Sequence, residues 1–564
     1  MGSGMKETAL NHRNRYVQVL LGGLLVLVVL CIVLLSLVPP VSKDELVHHL
    51  AVPKLYLKHG GMYEIPFMDF SYYPMNVDLL YLIPLYFGND IIPKFIHFTF
   101  ALLTAWLIFQ YLKRRTSTTA ALFGVVFFLS IPVVVKLSIT AYVDLGLIFF
   151  SFAALILLLK WRETRFKPRY LILSALMTGL AMGVKYNGLL VWAILTLLVP
   201  ILYARGLKSK APGFLRPAGL GTVFFLVALL LFSPWAVRNH HWTKNPVYPL
   251  YDGWFNLPKA ALEKNAPEPE EEQSPSGHFV FRKVVFGETG WEIALLPVRV
   301  FFQGRDGDPR LFDGRLNPFL FFLPFFAFMK RKDDGKELAQ ERKVFLFFSL
   351  LFLAIAFLST DLRIRYIAPI IPPLVVLSAL GLHKVSHLFQ TLRGNRARWL
   401  GTVLVWSAGA FALALNGRYL LNQFESVEPL SYLSGEVSRD EYIAKHRPEY
   451  PAMKFINEKL PPDALISFIF LGNRGYYCER DYVFGESQLE RTFKQANTSE
   501  GILSGLARAG ITHLFIHDPI LGKWAMNRLS EKEINNLNDF FEKYCKVMFS
   551  NKGFTILSLE KPLS

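Results

Sequence analysis

Cysteine is rare in this sequence, which holds three cysteines in 564 residues. So few cysteines exclude a disulfide scaffold, which needs a larger, even set of cysteines. Cys31 lies in an apolar run and is expected to be inert, whereas Cys478 and Cys545 both lie in the C-terminal part of the chain. These two are able to pair if that part of the chain faces an oxidising compartment.

Charged residues are also few, at 19% of the chain, whereas 52% of the residues are hydrophobic and the mean hydropathy is +0.32. This composition excludes a soluble protein of such length. The apolar runs 17–38, 91–112 and 364–385 are long enough to cross a hydrocarbon core, which takes roughly 20 apolar residues. The alternating pattern of a membrane barrel is not seen, so the spans are predicted to be helices.

The formal charge of +17 does not indicate a nucleic-acid partner, because the Lys and Arg residues collect in short loops between apolar runs. Cytoplasmic loops of membrane proteins are enriched in these residues, so the loops report orientation. We predict that residues 1–16 are also cytoplasmic, and residues 1–4 look like an addition from cloning. The basic loops are 113–115, 160–169, 205–216, 330–343 and 384–398.

Threading the apolar runs between these loops predicts an all-α polytopic domain with about 11 to 13 transmembrane helices. Segments 77–87 and 293–303 are too short to span and are predicted to be interfacial or re-entrant. The predicted spans are 17–38, 89–112, 119–136, 141–159, 170–185, 188–204, 218–236, 316–329, 344–359, 364–386 and 399–418.

This topology divides the chain into a membrane domain at 17–418, with outer loops at 39–76 and 238–315, and an extracytoplasmic domain at 420–564. Within the second loop, residues 267–276 are acidic and proline-rich, which predicts a mobile segment. In the tail, 450–459 and 501–509 have helical patterns, and 464–470 and 511–516 have strand patterns. A small α/β domain is therefore predicted there.

Polar side chains converge on the predicted outer face from at least five separate segments. Carboxylates, cations and aromatic rings at a membrane boundary are costly and usually functional. A transporter would instead place such groups near the middle of broken helices. The residues are Asp44, Glu45, His48, His49, Lys136, Asp144, Lys185, Tyr186, Asn187, Arg238, Asn239, Asp361, Arg363, Arg365 and Tyr366.

These residue types suit the transfer of a sugar from a lipid phosphate. A carboxylate such as Asp44 or Glu45 is able to act as general base for an acceptor hydroxyl. Arg365, Arg238 and Lys185 are candidates to stabilise the departing phosphate. Tyrosines present a ring and a hydroxyl to a sugar, and Tyr73, Tyr142 and Tyr186 lie at this face.

Each residue taken alone also has a structural interpretation, and these alternatives stay open at this point. Asp44 and Asp144 suit helix N-termini, and the two histidines suit interfacial packing. Lys136 and Lys185 are able to snorkel to the interface, and Arg365 with Tyr366 suits an interfacial anchor.

Three motifs follow one another along the membrane part of the chain. An acidic pair, Asp44-Glu45, follows the first span; Asp144 follows within Tyr-Val-Asp-Leu; and residues 365–372 read Arg-Tyr-Ile-Ala-Pro-Ile-Ile-Pro. This combination of motifs resembles the glycosyltransferase-C (GT-C) superfamily. Residues 44–54 are similar to the opening loop of bacterial family-39-like members, and 233–239 with 245–249 are similar to the segment after their seventh span. Protein O-mannosyltransferases and lipid A aminoarabinose transferases are the relatives in question.

The resemblance implies an inverting glycosyltransferase at the outer face of a bacterial inner membrane, with a polyprenyl-phosphate sugar as donor. It implies that Asp44 is the catalytic base or orients it, with Glu45 in support, and that Arg365 contacts the donor phosphate. Asp144, Tyr366, Tyr73, His49, Tyr186 and Asn239 are the expected substrate-binding residues. Where aminoarabinose transferases have Lys-Pro, this chain has Tyr73-Pro74, which predicts a different sugar or phosphate contact.

The acceptor is expected to be the hydroxyl of a lipid, a glycan or a protein. No motif that reads an Asn-linked sequon is evident, which argues against Asn-linked transfer and the divalent cation that it needs; a cation requirement otherwise stays open. The alternatives are a transporter or flippase for lipid-linked saccharides, and a ligase or polymerase that uses a diphosphate carrier.

Overall fold

The computed structural model describes residues 2–206, 213, 215–256, 277–330, 335–391, 394–486, 489–490, 492, 496 and 498–560, and only the backbone of residues 2–14. The segment 267–276, predicted to be mobile, lies outside these residues. So do parts of the basic loops 205–216, 330–343 and 384–398.

The chain divides into two compact units. The first, here called the helical unit, comprises residues 1–37, 73–80 and 92–429; the second, the α/β unit, comprises 38–72, 81–91 and 430–564. Most of the predicted first outer loop thus folds together with the C-terminal tail rather than with the helices around it. Asp44 belongs to the α/β unit, and Arg365 belongs to the helical unit.

The described elements follow one another as α-helices through residue 459 and as alternating helices and strands thereafter. A π-helical turn at Glu45–His49 and 3-10 turns at Asp69–Tyr72, Pro309–Leu311 and Ile364–Ile370 complete them. The α-helices are α1 (Gly2–Ser36), α2 (Ala51–His59), α3 (Asp78–Tyr86), α4 (Ile92–Arg115), α5 (Thr118–Ser130), α6 (Pro132–Ser138), α7 (Asp144–Glu163), α8 (Pro168–Val184), α9 (Gly188–Gly206), α10 (Leu215–Thr243), α11 (Asp252–Phe255), α12 (His278–Val285), α13 (Gly290–Ala294), α14 (Leu296–Arg299), α15 (Phe319–Phe326), α16 (Lys336–Ser359), α17 (Ile371–Thr391), α18 (Asn395–Val427), α19 (Pro429–Leu433), α20 (Arg439–His446), α21 (Tyr450–Lys459), α22 (Ser499–Arg508), α23 (Asp518–Arg528) and α24 (Glu531–Tyr544).

Eight helices among the described residues are long and apolar enough to cross a membrane, or nine if α5 and α6, which meet at a 65° bend, form one broken span. The predicted fold class is confirmed, but the exact count of 11 to 13 is not. Two predicted spans correspond to shorter helices: α8 has 17 residues, and α15, within 316–329, has eight. Segment 77–87 contains the short helix α3, and segment 293–303 contains the short helix α14 and the last two residues of α13.

Small residues allow close helix packing in the helical unit, as in other membrane bundles. A Cβ atom on Gly179 of α8 would lie 2.6 Å from the carbonyl oxygen of Ala228 in α10. Ser174 of α8 donates to the carbonyl oxygen of Ala154 in α7 at 2.7 Å. These contacts hold α8 closely against α7 and α10.

The C-terminal part of the α/β unit contains a five-stranded sheet in the order β2-β1-β3-β5-β4. β1 pairs in parallel with β2 and β3, whereas β5 pairs antiparallel with β3 and β4. The predicted helix at 450–459 and strands at 464–470 and 511–516 are observed as α21, β1 and β3. The strands are β1 (Leu465–Ile469), β2 (Asp481–Phe484), β3 (His513–His517), β4 (Cys545–Asn551) and β5 (Phe554–Leu559).

Cys478 and Cys545 do not form a disulfide; both are free thiols, as is Cys31. Cys478 precedes β2 at one edge of the sheet, and Cys545 begins β4 at the other edge. Burial raises the pKa of the Cys478 thiol to about 11 and that of the Cys545 thiol to about 12. Both thiols therefore stay protonated near neutral pH, which opposes oxidation.

Candidate active site

The acidic pair after the first span divides into two different environments within the α/β unit. Asp44 precedes the π-helical turn, is half-buried, and makes no capping hydrogen bond to that turn. Glu45 is 1% exposed, and its carboxylate accepts the backbone N–H of Ser42 at 2.8 Å. Glu45 therefore holds the turn, and the carboxylate of Asp44 is not committed to a helix cap.

The adjacent histidines are packed rather than solvated. The ring of His48 stacks on Phe70 at 4.5 Å between centroids, and the His48 and His49 rings lie 4.0 Å apart. Both side chains are buried. Within the described ranges, no three His, Cys, Asp or Glu residues converge in a way that could hold a metal ion.

The tail holds the first loop on both sides of Asp44. The Tyr477 hydroxyl donates to the carbonyl oxygen of Pro40 at 2.7 Å, and the Tyr476 N–H donates to that of Leu46 at 3.2 Å. The Lys54 ammonium donates to the carbonyl oxygens of Tyr476 and Cys478, at 2.7 and 3.3 Å, and to Glu479 at 2.7 Å. The tail is therefore part of the scaffold that positions Asp44.

Replacing Lys54 should loosen this scaffold. Lys54→Met removes one charged donor and leaves two carbonyl oxygens without it, so we expect the α/β unit to lose about 1–3 kcal/mol. Limited proteolysis of the purified chain should cut the tail faster. Lys58→Met is the matched control, because the contacts of Lys58 with the Asp481 carboxylate and the Glu479 carbonyl oxygen are exposed, and exposed ion pairs contribute about 0–1 kcal/mol. Equal protease resistance of both variants would contradict the scaffold role.

In the helical unit, Asp144 and Lys185 form an ion pair in which the carboxylate is fully buried and the lysine side chain is 15% exposed. Asp144 is the first residue of α7 and its side chain is 0% exposed; Lys185 follows α8 in extended conformation. The Lys185 ammonium lies 2.8 Å from an Asp144 carboxylate oxygen and 5.2 Å from the centre of the Tyr366 ring. Lys185 is therefore paired inside the protein and does not snorkel.

Arg365 joins the same group through Tyr366. It lies in the 3-10 turn before α17, and its guanidinium lies 5.7 Å from the centre of the Tyr142 ring and 5.5 Å from that of Tyr366. The Asn187 side-chain amide donates to the Tyr366 carbonyl oxygen at 3.2 Å. Lys185 and Arg365 thus share one tyrosine ring, in the arrangement that cation–π attraction favours, and Arg363 lies 5.8 Å from the centre of the same ring. We call Asp144, Lys185, Arg365 and Tyr366 the cation cluster.

Arg238 organises a second group of predicted residues. Its guanidinium donates to the Asn239 side-chain oxygen at 2.8 Å and to the Tyr73 carbonyl oxygen at 3.2 Å. The Asn239 amide donates to the Tyr186 hydroxyl at 2.9 Å, and that hydroxyl donates to the Tyr248 carbonyl oxygen at 2.7 Å. Burial raises the pKa of Tyr186 above its usual value, so the hydroxyl stays a donor at neutral pH.

The two groups are joined by the short turn between α8 and α9, where Lys185 and Tyr186 are consecutive. The rings of Tyr73 and Tyr186 also lie 5.1 Å apart. The structure thus brings Asp144, Lys185, Arg365 and Tyr366 together, and it links Tyr186 to Arg238, Asn239 and Tyr73.

Sequence reasoning missed His97, which holds the turn that carries Asp144. The backbone N–H of Leu145 donates to Nε2 of His97 at 2.9 Å. Nε2 must therefore be an acceptor, and Nδ1 carries the proton that is donated to the Thr140 carbonyl oxygen at 2.8 Å. The sequence did carry a signal for His97, because it is an ionisable residue inside the predicted span 89–112, and such residues are usually functional.

The pairing of Lys136 was also missed. Its ammonium lies 3.5 Å from both Asp306 and Asp313. Burial alone would raise the pKa of Asp313, but Lys136 and then Arg365 and Arg363 lower it below its usual value. These partners lie far apart in the sequence, so no local pattern indicates them.

The buried pair gives a testable prediction. Removing one partner of a buried ion pair costs about 3–5 kcal/mol, whereas removing both costs less. Asp144→Asn and Lys185→Met should each destabilise the purified protein, and the double variant should be more stable than either, as measured by thermal unfolding. The exposed pair Asp539–Lys543 is the control and should show almost no coupling. If the double variant lost as much stability as the two single variants together, the pairing of Asp144 with Lys185 would be contradicted.

Comparisons with known proteins agree with this architecture. Residues 87–237, which include Asp144 and Lys185, match the family model described as dolichyl-phosphate-mannose-protein mannosyltransferase. The fold is similar to that of apo ArnT from Cupriavidus metallidurans, with a TM-score of 0.57 and 15% identity over 96% of this chain and 98% of ArnT. In this family match and in its fold, the chain resembles members of the GT-C superfamily. The predicted resemblance is thereby confirmed.

Two further solved structures share this GT-C fold. ArnT bound to undecaprenyl phosphate matches with a TM-score of 0.54 and 15% identity, over 96% of this chain and 99% of that one. The Archaeoglobus fulgidus oligosaccharyltransferase, tethered with an acceptor peptide that contains a sequon, matches with a TM-score of 0.51 and 12% identity, over 96% and 75%. No curated protein sequence matches this chain.

Proposed function

We propose that this chain is an inverting glycosyltransferase that moves a sugar from a polyprenyl phosphate to an acceptor hydroxyl at the extracytoplasmic face of the inner membrane. The cation cluster carries the proposal, because two half-buried cations beside one tyrosine ring suit a phosphate ester. The mannosyltransferase family match and the undecaprenyl phosphate bound by ArnT support a lipid-phosphate donor.

The reaction is a single displacement at the anomeric carbon. The acceptor oxygen forms a bond to that carbon as the bond to the phosphate oxygen breaks, and polyprenyl phosphate leaves with the electron pair. The acceptor proton passes to a carboxylate, which we assign to Asp44. Attack from the side opposite the leaving phosphate inverts the anomeric configuration.

Among the three candidate cations, Arg365 is assigned the main contact with the phosphate. The charge of Lys185 is partly offset by Asp144 at 2.8 Å. We therefore assign Lys185 a directed hydrogen bond to the phosphate rather than the neutralisation of a full negative charge. Arg238 is committed to Asn239 and Tyr73 and lies over the Trp235 ring at 4.6 Å. We therefore assign Arg238 the positioning of the aromatic residues near the sugar.

The remaining predicted residues are assigned to the substrates. Tyr73, Tyr186 and Asn239 form a connected hydrogen-bonding group suited to sugar hydroxyls, and Tyr366 presents its ring between the cations. His49 is assigned to the acceptor side because it lies on the same turn as Asp44. The acceptor is a lipid, glycan or protein hydroxyl, and the proposed topology places residues 420–564 outside and 160–169 in the cytoplasm.

A donor labelled separately in its sugar and in its lipid tests this proposal against transport. Proteoliposomes that contain the purified chain should separate the two labels, with the sugar recovered on an acceptor and the lipid recovered as polyprenyl monophosphate. A flippase would move both labels to the other leaflet in one molecule. Release of a diphosphate carrier would indicate the ligase alternative instead.

A further inference from the structure

The helical unit contains a cationic pocket that the proposed reaction does not use. Its volume is about 760 Å³, and it lies between α14, the segment 302–318 and the C-terminal part of α18. Five arginines line it, against two carboxylates, Glu292 and Asp308. The arginines are Arg299, Arg305, Arg310, Arg315 and Arg418. We call this cavity the arginine pocket.

Of these five arginines, only Arg299 uses all of its guanidinium nitrogens in hydrogen bonds within the described part of the protein. Arg299 donates to the Glu292 carbonyl oxygen and to Gln303, both at 2.7 Å, and to the buried Glu288 carboxylate at 3.1 Å. Arg305 is 67% exposed and lies 3.8 Å from Asp308. Within the described ranges, Arg310 and Arg418 have no carboxylate within 4.0 Å. The pocket therefore presents an excess of positive charge to its contents.

The pocket lies at a membrane boundary. α18 is long and apolar enough to span, and its residues 415–419, which line the pocket, come about 20 residues, or about 30 Å, after its first residue. That distance is about the thickness of a hydrocarbon core. Arg418 thus lies at the opposite boundary from Asn395.

Apolar side chains continue from the arginines. Phe302 lines the pocket and is 44% exposed, and its ring lies 5.6 Å from that of Phe322, which is 49% exposed. An amphiphile is able to place a charged group on the arginines and a chain along these rings. A free phosphate would use the arginines but leave the phenylalanines uncovered.

We propose that the arginine pocket binds the phosphate headgroup of an anionic membrane lipid. Arg guanidinium groups match phosphate oxygens in paired hydrogen bonds, and the cavity volume is within the range of small-molecule sites. Lys185, Arg238 and Arg365 do not line it, so this lipid site is separate from the cation cluster. The proposal is independent of the sugar-transfer reaction.

Native mass spectrometry of the full, delipidated chain tests this site with phosphatidylglycerol as the probe and phosphatidylcholine as the neutral reference. The double variant Arg310→Gln/Arg418→Gln should bind phosphatidylglycerol at least about tenfold more weakly, because each cation near a membrane surface contributes about 1 kcal/mol. The matched control is Lys167→Gln/Arg169→Gln, which removes two exposed cations outside the pocket and should keep wild-type affinity.

Equal affinity of both double variants for phosphatidylglycerol would overturn the site. Displacement of the lipid by millimolar inorganic phosphate, with no preference over phosphatidylcholine, would make the pocket a soluble-anion site and would overturn the lipid assignment. If the double variant does not fold, Arg418→Gln alone should weaken the binding of phosphatidylglycerol about fivefold. Unchanged binding by that variant would overturn the site.

Discussion

Asp44→Asn should lower the rate of sugar transfer by about 10²–10⁴-fold in single turnover with saturating donor. The substitution keeps the size and the hydrogen-bonding capacity of the side chain but removes its ability to take the acceptor proton. Because the size and the hydrogen-bonding capacity are kept, folding should stay nearly unchanged. Donor binding, measured by equilibrium titration with the lipid phosphate, should also stay close to the wild-type value.

Glu45→Gln is the matched control for Asp44→Asn, because it makes the same change one residue along. Glu45 is buried and accepts the Ser42 N–H, and the Gln side-chain oxygen is still able to accept that bond. We expect a loss of stability of about 1–2 kcal/mol and a single-turnover rate within about tenfold of wild type. Normal chemistry in Asp44→Asn with collapse in Glu45→Gln would move the base to Glu45.

Arg365→Lys should lower kcat/KM for the donor by about 10–100-fold although the charge is kept. The guanidinium lies over the Tyr142 and Tyr366 rings, and an ammonium group has neither its planar stacking surface nor its paired donors. A charged hydrogen bond is worth about 1.5–3 kcal/mol, which corresponds to this range. The measurement is initial rate at limiting donor concentration.

Arg363→Lys is the control for Arg365→Lys. Arg363 lies 5.8 Å from the centre of the same Tyr366 ring, but it pairs with Asp361 at 3.4 Å and Asp313 at 4.0 Å. Its replacement should change kcat/KM by less than about threefold. Equal losses in the two variants would show that general disturbance of the Tyr366 region, rather than phosphate contact by Arg365, explains the effect.

The helical fold was predictable because a span needs only a long apolar run, which composition shows directly. The span count was less predictable, since the eight-residue α15 and the bend between α5 and α6 depend on packing against other helices. In the tail, β1 and β3 are buried and apolar, whereas β4 has a largely exposed pattern. Exposure explains why β4 was missed, but β5 was missed as well although three of its six residues are buried.

The candidate site was predicted in part. Asp144, Lys185 and Arg365 were indicated by their places at the ends of apolar runs, and the structure brings these three together. The joining of the first loop to the tail was not predictable, because Lys54 and Glu479 lie 425 residues apart. Each such contact depends on the folded positions of both segments. The sequence of one segment does not indicate that it contacts the other.

The anomeric configuration of the product tests the central proposal most directly. A donor of defined configuration, with its anomeric carbon labelled with ¹³C, should be converted by the purified chain, and the product linkage should be read by NMR as it forms. Single displacement with Asp44 as the base predicts an inverted configuration in every turnover. A retained configuration would require a covalent sugar–enzyme intermediate or a second displacement, and it would contradict the proposed mechanism.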